Sequence, residues 1–294
     1  MPNELSKTEN SNDTALTKEI LATNACLPIL KASVEELNKL DDKKQRHDVL
    51  YSLIFRMLEL TESALLLAKV KHFKSIEILA RSIFESYVHA LILIENPAGC
   101  LHYVLFELIN EKKIFENEKA RAIKEGLNNP GSQNNLNHSN SGIANMDSGI
   151  AMMNAWGIKQ ESFKTESGKS KKFKSWYENL FKSEITLKTL SSKAGAENFY
   201  GICYKLWSQG IHGTAVSKGS KLISSPQGHK FTHLSQELQG ENAKETISLI
   251  RGFIITTVLK ANQKFYCQNF DPLGEQLLGI LNKLGINGYN MPIK

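Results

Sequence analysis

The sequence predicts an all-α protein, a helical bundle interrupted by a long polar insertion loop. Three observations carry that expectation. Apolar residues recur at helical spacing over several long stretches, no alternating period of two stands out, and no internal repeat is visible. Hydrophobic residues make up 41% of the 294, enough for a sizeable core and too many for a disordered chain.

In chain order, residues 1–13 read as a disordered polar leader. A first helix is expected from about Ala15 to Leu40, kinked or split by Pro28, which has no N–H to give to the helix. The charged run DDKKQRHD leads into a second helix, about Val49 to Val70, with Leu50, Leu53, Met57, Leu60, Ala64 and Leu67 on one stripe. A third helix, Phe73 to Glu95, repeats the pattern through Ile76, Leu79, Ile83, Tyr87, Ala90 and Ile94. Pro97 opens a fourth at its first turn and Gly126 closes it.

Residues 127–171 change character. The run LNNPGSQNNLNHSNSG has no sustained apolar period and too little apolar surface to offset its ordering entropy, so it reads as loop. Helices resume at Phe173–Phe181 and at Ala196 to about Gly210. Residues 213–240 read as a connection, and Asn242 with Glu245 marks the capped start of a long helix to about Tyr266. Pro272–Leu284 forms the last helix. The expected organisation is therefore a leader (1–13), a first part of the bundle (14–126), the insertion (127–171) and a second part (172–294).

A net charge of +6 is compatible with a polyanionic partner without requiring one. Cys26, Cys100, Cys203 and Cys267 lie far apart with no C-x-x-C pair, which suits reduced core thiols better than zinc knuckles or disulfides. The N-terminal MPNELSKTENSNDTALTKE lacks the apolar segment of a signal peptide. The longest apolar runs fall below half of the ~20 residues that span a bilayer. A cytoplasmic protein without membrane contact is expected. P-loop, G-x-G-x-x-G and G-x-S-x-G motifs are absent, which removes nucleotide-fold and α/β-hydrolase readings.

Two constellations could carry chemistry. The third helix has a second apolar side, Ile78, Val88 and Ile92, and on it Arg81 and Glu85 stand four residues apart, as neighbours. They could form a salt bridge that fixes helix register, or Glu85 could hold Arg81 toward an anion. In NFYGICYKLWSQGIHGT, Tyr204, Ser208 and His212 recur every four residues, and Gly210 and Gly213 flank His212. They could donate, accept and shuttle a proton near neutral pH, or His212 could simply cap the helix end.

The stretch FRMLELTESALLLAKVKHFKSIEILARSIFESYVHALIL, followed by YKLWSQGIHGT, resembles an uncharacterised bacterial family of unknown function. That family pairs an Arg-Ser-x-x-Glu helix with a Tyr-x-x-x-Ser-x-x-x-His helix. The matching residues are Arg81, Ser82 and Glu85, then Tyr204, Ser208 and His212, and the resemblance covers roughly 45–265 without the insertion. More distantly it is similar to the HEPN helical domains, many of which are ribonucleases or components of toxin and phage-defence systems. HEPN nucleases carry Arg and His close together on one segment, whereas here they come from different helices and must meet across the fold. The resemblance implies an RNA-binding or RNA-cleaving protein, with Arg81, Glu85, Tyr204, Ser208 and His212 as the site. It also implies a place in bacterial phage defence, and a homodimer or a partner protein of such a system. The chemistry would need no metal or cofactor: His212 takes the 2′-hydroxyl proton and Arg81 meets the phosphate. The alternative is a non-catalytic sensor or scaffold in which the same residues form a structural network.

Two further signals are open to both readings. His229 and His233 would share a metal if they lay on a helix, and otherwise belong to a connector. Lys164, Lys169, Lys171, Lys172 and Lys174 alternate with Phe173, Trp176 and Tyr177. That mixture suits single-stranded nucleic acid, or a solvated linker whose aromatics pack inward.

Overall fold

The computed structural model describes residues 5–38, 47–126, 130–165, 168–205, 220–225, 228–233, 236–266 and 270–286. The chain is all-α, with two small hairpins among the described residues, and it divides into two compact units. One comprises Met1–Asp41, Leu50–Glu95 and Leu187–Lys294; the other comprises Asp42–Val49 and Asn96–Thr186. The smaller unit takes in the whole of the 127–171 segment. The inserted piece carries its own helices.

The larger unit holds α1 (Leu5–Asn38), most of α2 (His47–Lys69) and α3 (Phe73–Glu95). It continues with α7 (Leu187–Lys193), α8 (Glu197–Phe199) and a π-helical turn over Tyr200–Lys205. Its last elements are the hairpin β3–β4 (Ser220–Ser225 and Gly228–His233), α9 (Gln236–Tyr266) and α10 (Phe270–Lys283). The helix α9 is the central rod. From Ile250 to Ala261 only Gly252, Thr256 and Lys260 escape full burial, and α9 packs on α1, α3 and α10. Such all-round burial explains why its residues are apolar on every side rather than on one stripe. Two cross-links tie it to α1: Asn262 Nδ2 donates to Ser33 Oγ at 2.6 Å, and Arg251, 1% exposed, pairs with Glu19. Buried threonines spend their hydroxyls on the helix itself, Thr257 on Phe253 O at 2.7 Å and Thr61 on Met57 O at 2.8 Å.

The start of the chain departs from expectation. Helix α1 begins at Leu5, inside the segment read as a disordered leader, and runs on through Pro28 without dividing. The helix α9 begins at Gln236, so Asn242 and Glu245 lie in its second and third turns rather than at its cap. Strands β3 and β4 lie within the segment read as connection, pairing Ser220 with His233 through to Ser225 with Gly228.

The smaller unit is built on α4 (Gly99–Glu125) and α5 (Pro130–Ala155), with a hairpin, β1 (Ser162–Lys164) and β2 (Ser170–Lys172), and α6 (Trp176–Phe181). The segment expected to be a loop is therefore a 26-residue helix followed by a hairpin. The reason is packing rather than propensity. Ser132, Ser139 and Met153 are buried, at intervals of seven or fourteen, while Gly142 and Gly149 receive large side chains. A Cβ on Gly142 would stand 2.7 Å from the Phe115 ring of α4, and one on Gly149 would stand 3.0 Å from Leu108. Small residues on one seam let the two helices approach closely, and that seam supplies what Asn, Ser and Gly lack in intrinsic helix preference. Lys112 adds an ion pair to Asp147 at 2.6 Å.

Buried Asn179 organises the other end of this unit. Its Oδ1 accepts from Glu161 N at 2.7 Å, while its Nδ2 donates to Lys159 O at 3.0 Å and meets His102 Nδ1 at 2.7 Å. An amide N–H can only donate, so His102 accepts at Nδ1 and is neutral. Burial and then the charge of Lys182 both push its pKa down, which agrees.

Candidate functional site

On α3 the polar stripe descends from solvent into protein. Ile78 at its outer end is 48% exposed, whereas Val88 and Ile92 further along the same side are buried. Arg81 Nε donates to Glu85 Oε1 at 3.0 Å, with side chains 21% and 37% exposed. Arg81 is the more buried of the two, and their bond to each other lies within one helix. Ser82, between them, reaches back to Ile78 O at 3.5 Å. One helical step beyond Glu85 stands His89, which sequence reading passed over. Part of it reaches the surface, but protein crowds its ring and burial pushes its pKa down to about 4. The stripe Arg81–Glu85–His89 therefore presents a fixed cation, its carboxylate and a neutral imidazole in order. The signal was a spacing of four carried one step further.

The second motif packs against the first through its leading segment. The π-helical turn Tyr200–Lys205 and α7 both contact α3. Phe199 meets Phe253 edge-on at 5.4 Å, and Phe253 in turn stacks on Tyr87 at 4.7 Å and touches Phe84 at 5.6 Å. Such ring pairs each contribute about 0.5–1.5 kcal/mol beyond their buried area, so the cluster anchors the turn to α3 and α9. Cys203, buried in the turn, lies close enough to Tyr87 to influence it. Burial first and then this thiol push the Tyr87 pKa up to about 12, and burial pushes Cys203 up to about 12 as well. Both groups are neutral across the physiological range and serve packing rather than acid–base work.

Tyr204 belongs to this turn. The α-helix expected from Ala196 to Gly210 is replaced at its start by three α-helical residues and the wider π turn. Ser208 and His212 lie outside the described residues. π turns recur at functional sites because they reposition side chains that a regular helix would align.

The other signals resolve differently. His229 and His233 sit on β4, where residues four apart are about 13 Å apart along the strand rather than one turn apart on a helix, so the shared-metal geometry is lost. Cys26, Cys100 and Cys203 are buried free thiols, as expected of core cysteines, and Cys267 lies outside the described residues. Among the described residues no helix is long and apolar enough to cross a membrane.

Fold and stripe together define an all-α protein with a polar α3 face and a π-helical turn packed on that helix. The chain belongs to the family of unknown function DUF5677, whose model matches residues 47–229, more than half of the chain, and takes in both motif segments. No curated protein and no solved structure matches it.

Proposed function

We propose that this protein binds RNA and cleaves it by metal-independent acid–base chemistry, with Arg81 and His212 acting on one phosphodiester. The observation that supports the reading is the packing of the Tyr200–Lys205 turn on α3, which sets the lead-in to Ser208 and His212 against the helix that carries Arg81. In the proposed reaction neutral His212 takes the 2′-hydroxyl proton. The 2′-oxygen attacks the adjacent phosphorus, the bond to the 5′-oxygen breaks, and that oxygen takes a proton from solvent. Arg81, held through Nε by Glu85, stabilises the charge gathering on the phosphoryl oxygens, and Tyr204 or Ser208 orients the phosphate. The resemblance to HEPN domains alone suggests a role in bacterial phage defence, with a homodimer or a defence protein as partner.

Two observations favour a second reading. The Arg81–Glu85 bond lies within a single helix and burial keeps His89 neutral, both of which suit a structural network in a non-catalytic sensor or scaffold. A cleavage assay separates the two. End-labelled single-stranded RNA incubated with the purified protein in EDTA should yield fragments ending in 2′,3′-cyclic phosphate, and His212→Ala should abolish them without changing the melting temperature. A wild-type protein that neither binds nor cuts RNA, or a His212→Ala chain that unfolds, would replace the catalytic reading with the scaffold.

A further inference from the structure

The β1–β2 hairpin of the smaller unit has two unlike faces. Its register pairs Ser162 with Lys172, Phe163 with Lys171 and Lys164 with Ser170. Directly paired residues share a face, so Ser162, Lys164, Ser170 and Lys172 lie on one side and Phe163 with Lys171 on the other. The second side is the inward one. Phe163 stacks on buried Phe173 at 5.1 Å, and Lys171 lies 5.7 Å from the Phe163 ring centre while bonding Glu184 at 3.1 Å. The first side is exposed at all four positions.

That outward face is a checkerboard of two ammonium groups and two hydroxyls. Lys169, beside the turn glycine, and Lys174, just past β2, extend it, and both are exposed. The turn itself is defined: Gly168 takes a left-handed φ of 75° and donates to Thr165 O at 2.8 Å, and Thr165 N donates to Lys169 O at 2.9 Å. The described acids around it are already engaged. Glu161 pairs with Lys182, Glu184 with Lys171, and Glu178 closes the capping box of α6 with Ser175. Among the described residues Lys164, Lys169, Lys172 and Lys174 have no carboxylate partner. Four exposed lysines within one short hairpin, with no carboxylate partner among the described residues and one further acid there, Glu166, outside them, exceed what protection of a strand edge needs.

We infer that this hairpin face binds the phosphodiester backbone of a nucleic acid without reading its sequence. Base stacking is the lesser mode, because Phe173 and Trp176 are buried, half-buried Phe163 is stacked on Phe173, and half-buried Tyr177 stands edge-on to Trp176. Lysines then meet phosphate oxygens as point charges and Ser162 and Ser170 offer hydroxyl donors. An anionic membrane is the less favoured partner, since stable surface attachment adds apolar insertion to charge and the hairpin's own rings are turned inward. The inference rests on the reading above for the identity of the nucleic acid as RNA, but it places binding on a surface separate from α3.

The test uses the full-length protein and a fluorescein-labelled 20-nucleotide 2′-O-methyl RNA, which keeps the phosphates and lacks the nucleophile. Anisotropy across a salt series measures both affinity and its slope. Single-stranded backbones contribute a slope of about 0.7 per phosphate contact, so Lys164→Ala/Lys172→Ala should flatten log K against log salt by about 1.4. Affinity should fall at least tenfold at low salt, homopolymers of different base should bind alike, and the circular dichroism of the variant should match wild type. Equal affinity and slope in the variant would overturn the hairpin inference while leaving the α3 reading in place. No binding by wild type would overturn the inference as well, and cleavage of ordinary RNA would then still report on α3. Binding to vesicles of anionic phospholipid in place of RNA would also overturn it.

Discussion

Replacing Glu19 by Ala would remove a carboxylate that pairs with the Arg251 guanidinium inside the larger unit. The magnitude follows from position. Arg251 is 1% exposed in the middle of α9 and Glu19 is 15% exposed on α1, so the cation loses far more hydration on folding than the anion does. Ser248 Oγ, 3.3 Å from an Arg251 terminal nitrogen, can accept a hydrogen bond but carries no charge. Cys26 cannot substitute either. Burial pushes its thiol up to about 11 against the opposing pull of Arg251, so it is neutral at pH 7. Breaking a buried pair on one side costs about 3–5 kcal/mol, and the residual exposure of Glu19 places this case near about 3. For a domain of this size that corresponds to a fall in melting temperature of roughly 6–12 °C. Thermal denaturation followed by circular dichroism measures it. The double variant Glu19→Ala/Arg251→Met removes both charges and should recover much of the loss, because a hydrophobic replacement of similar volume leaves nothing unpaired. An unchanged melting temperature for Glu19→Ala, or a double variant worse than the single, would refute the claim that this ion pair joins α1 to α9.

Two other perturbations test different parts of the structure. Gly142→Leu should destabilise the smaller unit by about 1–3 kcal/mol, because even a Cβ at that position meets the Phe115 ring and overpacking displaces side chains or backbone. Calorimetry should show that loss, whereas Gly157→Ala, outside the seam, is strained only by its own φ of 81°. His89 predicts a pH dependence. Its folded pKa of about 4 lies below the ordinary 6.5, so the unfolded chain binds the proton first. Stability is therefore intact above pH 6.5 and falls as pH drops toward 4, by up to about 3 kcal/mol at 1.36 kcal/mol per unit. His89→Asn should remove that slope from urea-unfolding free energies, and an identical slope in both proteins would show that His89 is hydrated.

The parts of the fold that were legible are those where periodicity and packing agree. Helix α3 lies at Phe73–Glu95, as its apolar spacing predicted, and Arg81 and Glu85 bond across the expected four residues. Helix α5 was illegible because its determinants sit on α4. Gly142 and Gly149 look like helix breakers until Phe115 and Leu108 fill the space above them. The same holds for the π turn, whose register is set by Phe199 on Phe253 and Cys203 beside Tyr87, contacts that no local pattern records. The basic hairpin was half legible. Phe173 and Trp176 do pack inward, yet only the strand register separates Lys164 and Lys172 from Lys171, which shares the face of Phe163 and bonds Glu184.

The central proposal is that Arg81 and His212 act on one phosphodiester, and a double-mutant cycle on RNA cleavage tests it most directly. Single-turnover rates would be measured for wild type, Arg81→Ala, His212→Ala and the double variant, each verified as folded. Loss of a general base lowers the rate by about 10²–10⁴, and residues that act as a unit are strongly non-additive. The account predicts that the double variant is no slower than the slower single variant. Rate losses that multiply, or a His212→Ala protein that cuts RNA at the wild-type rate, would contradict it.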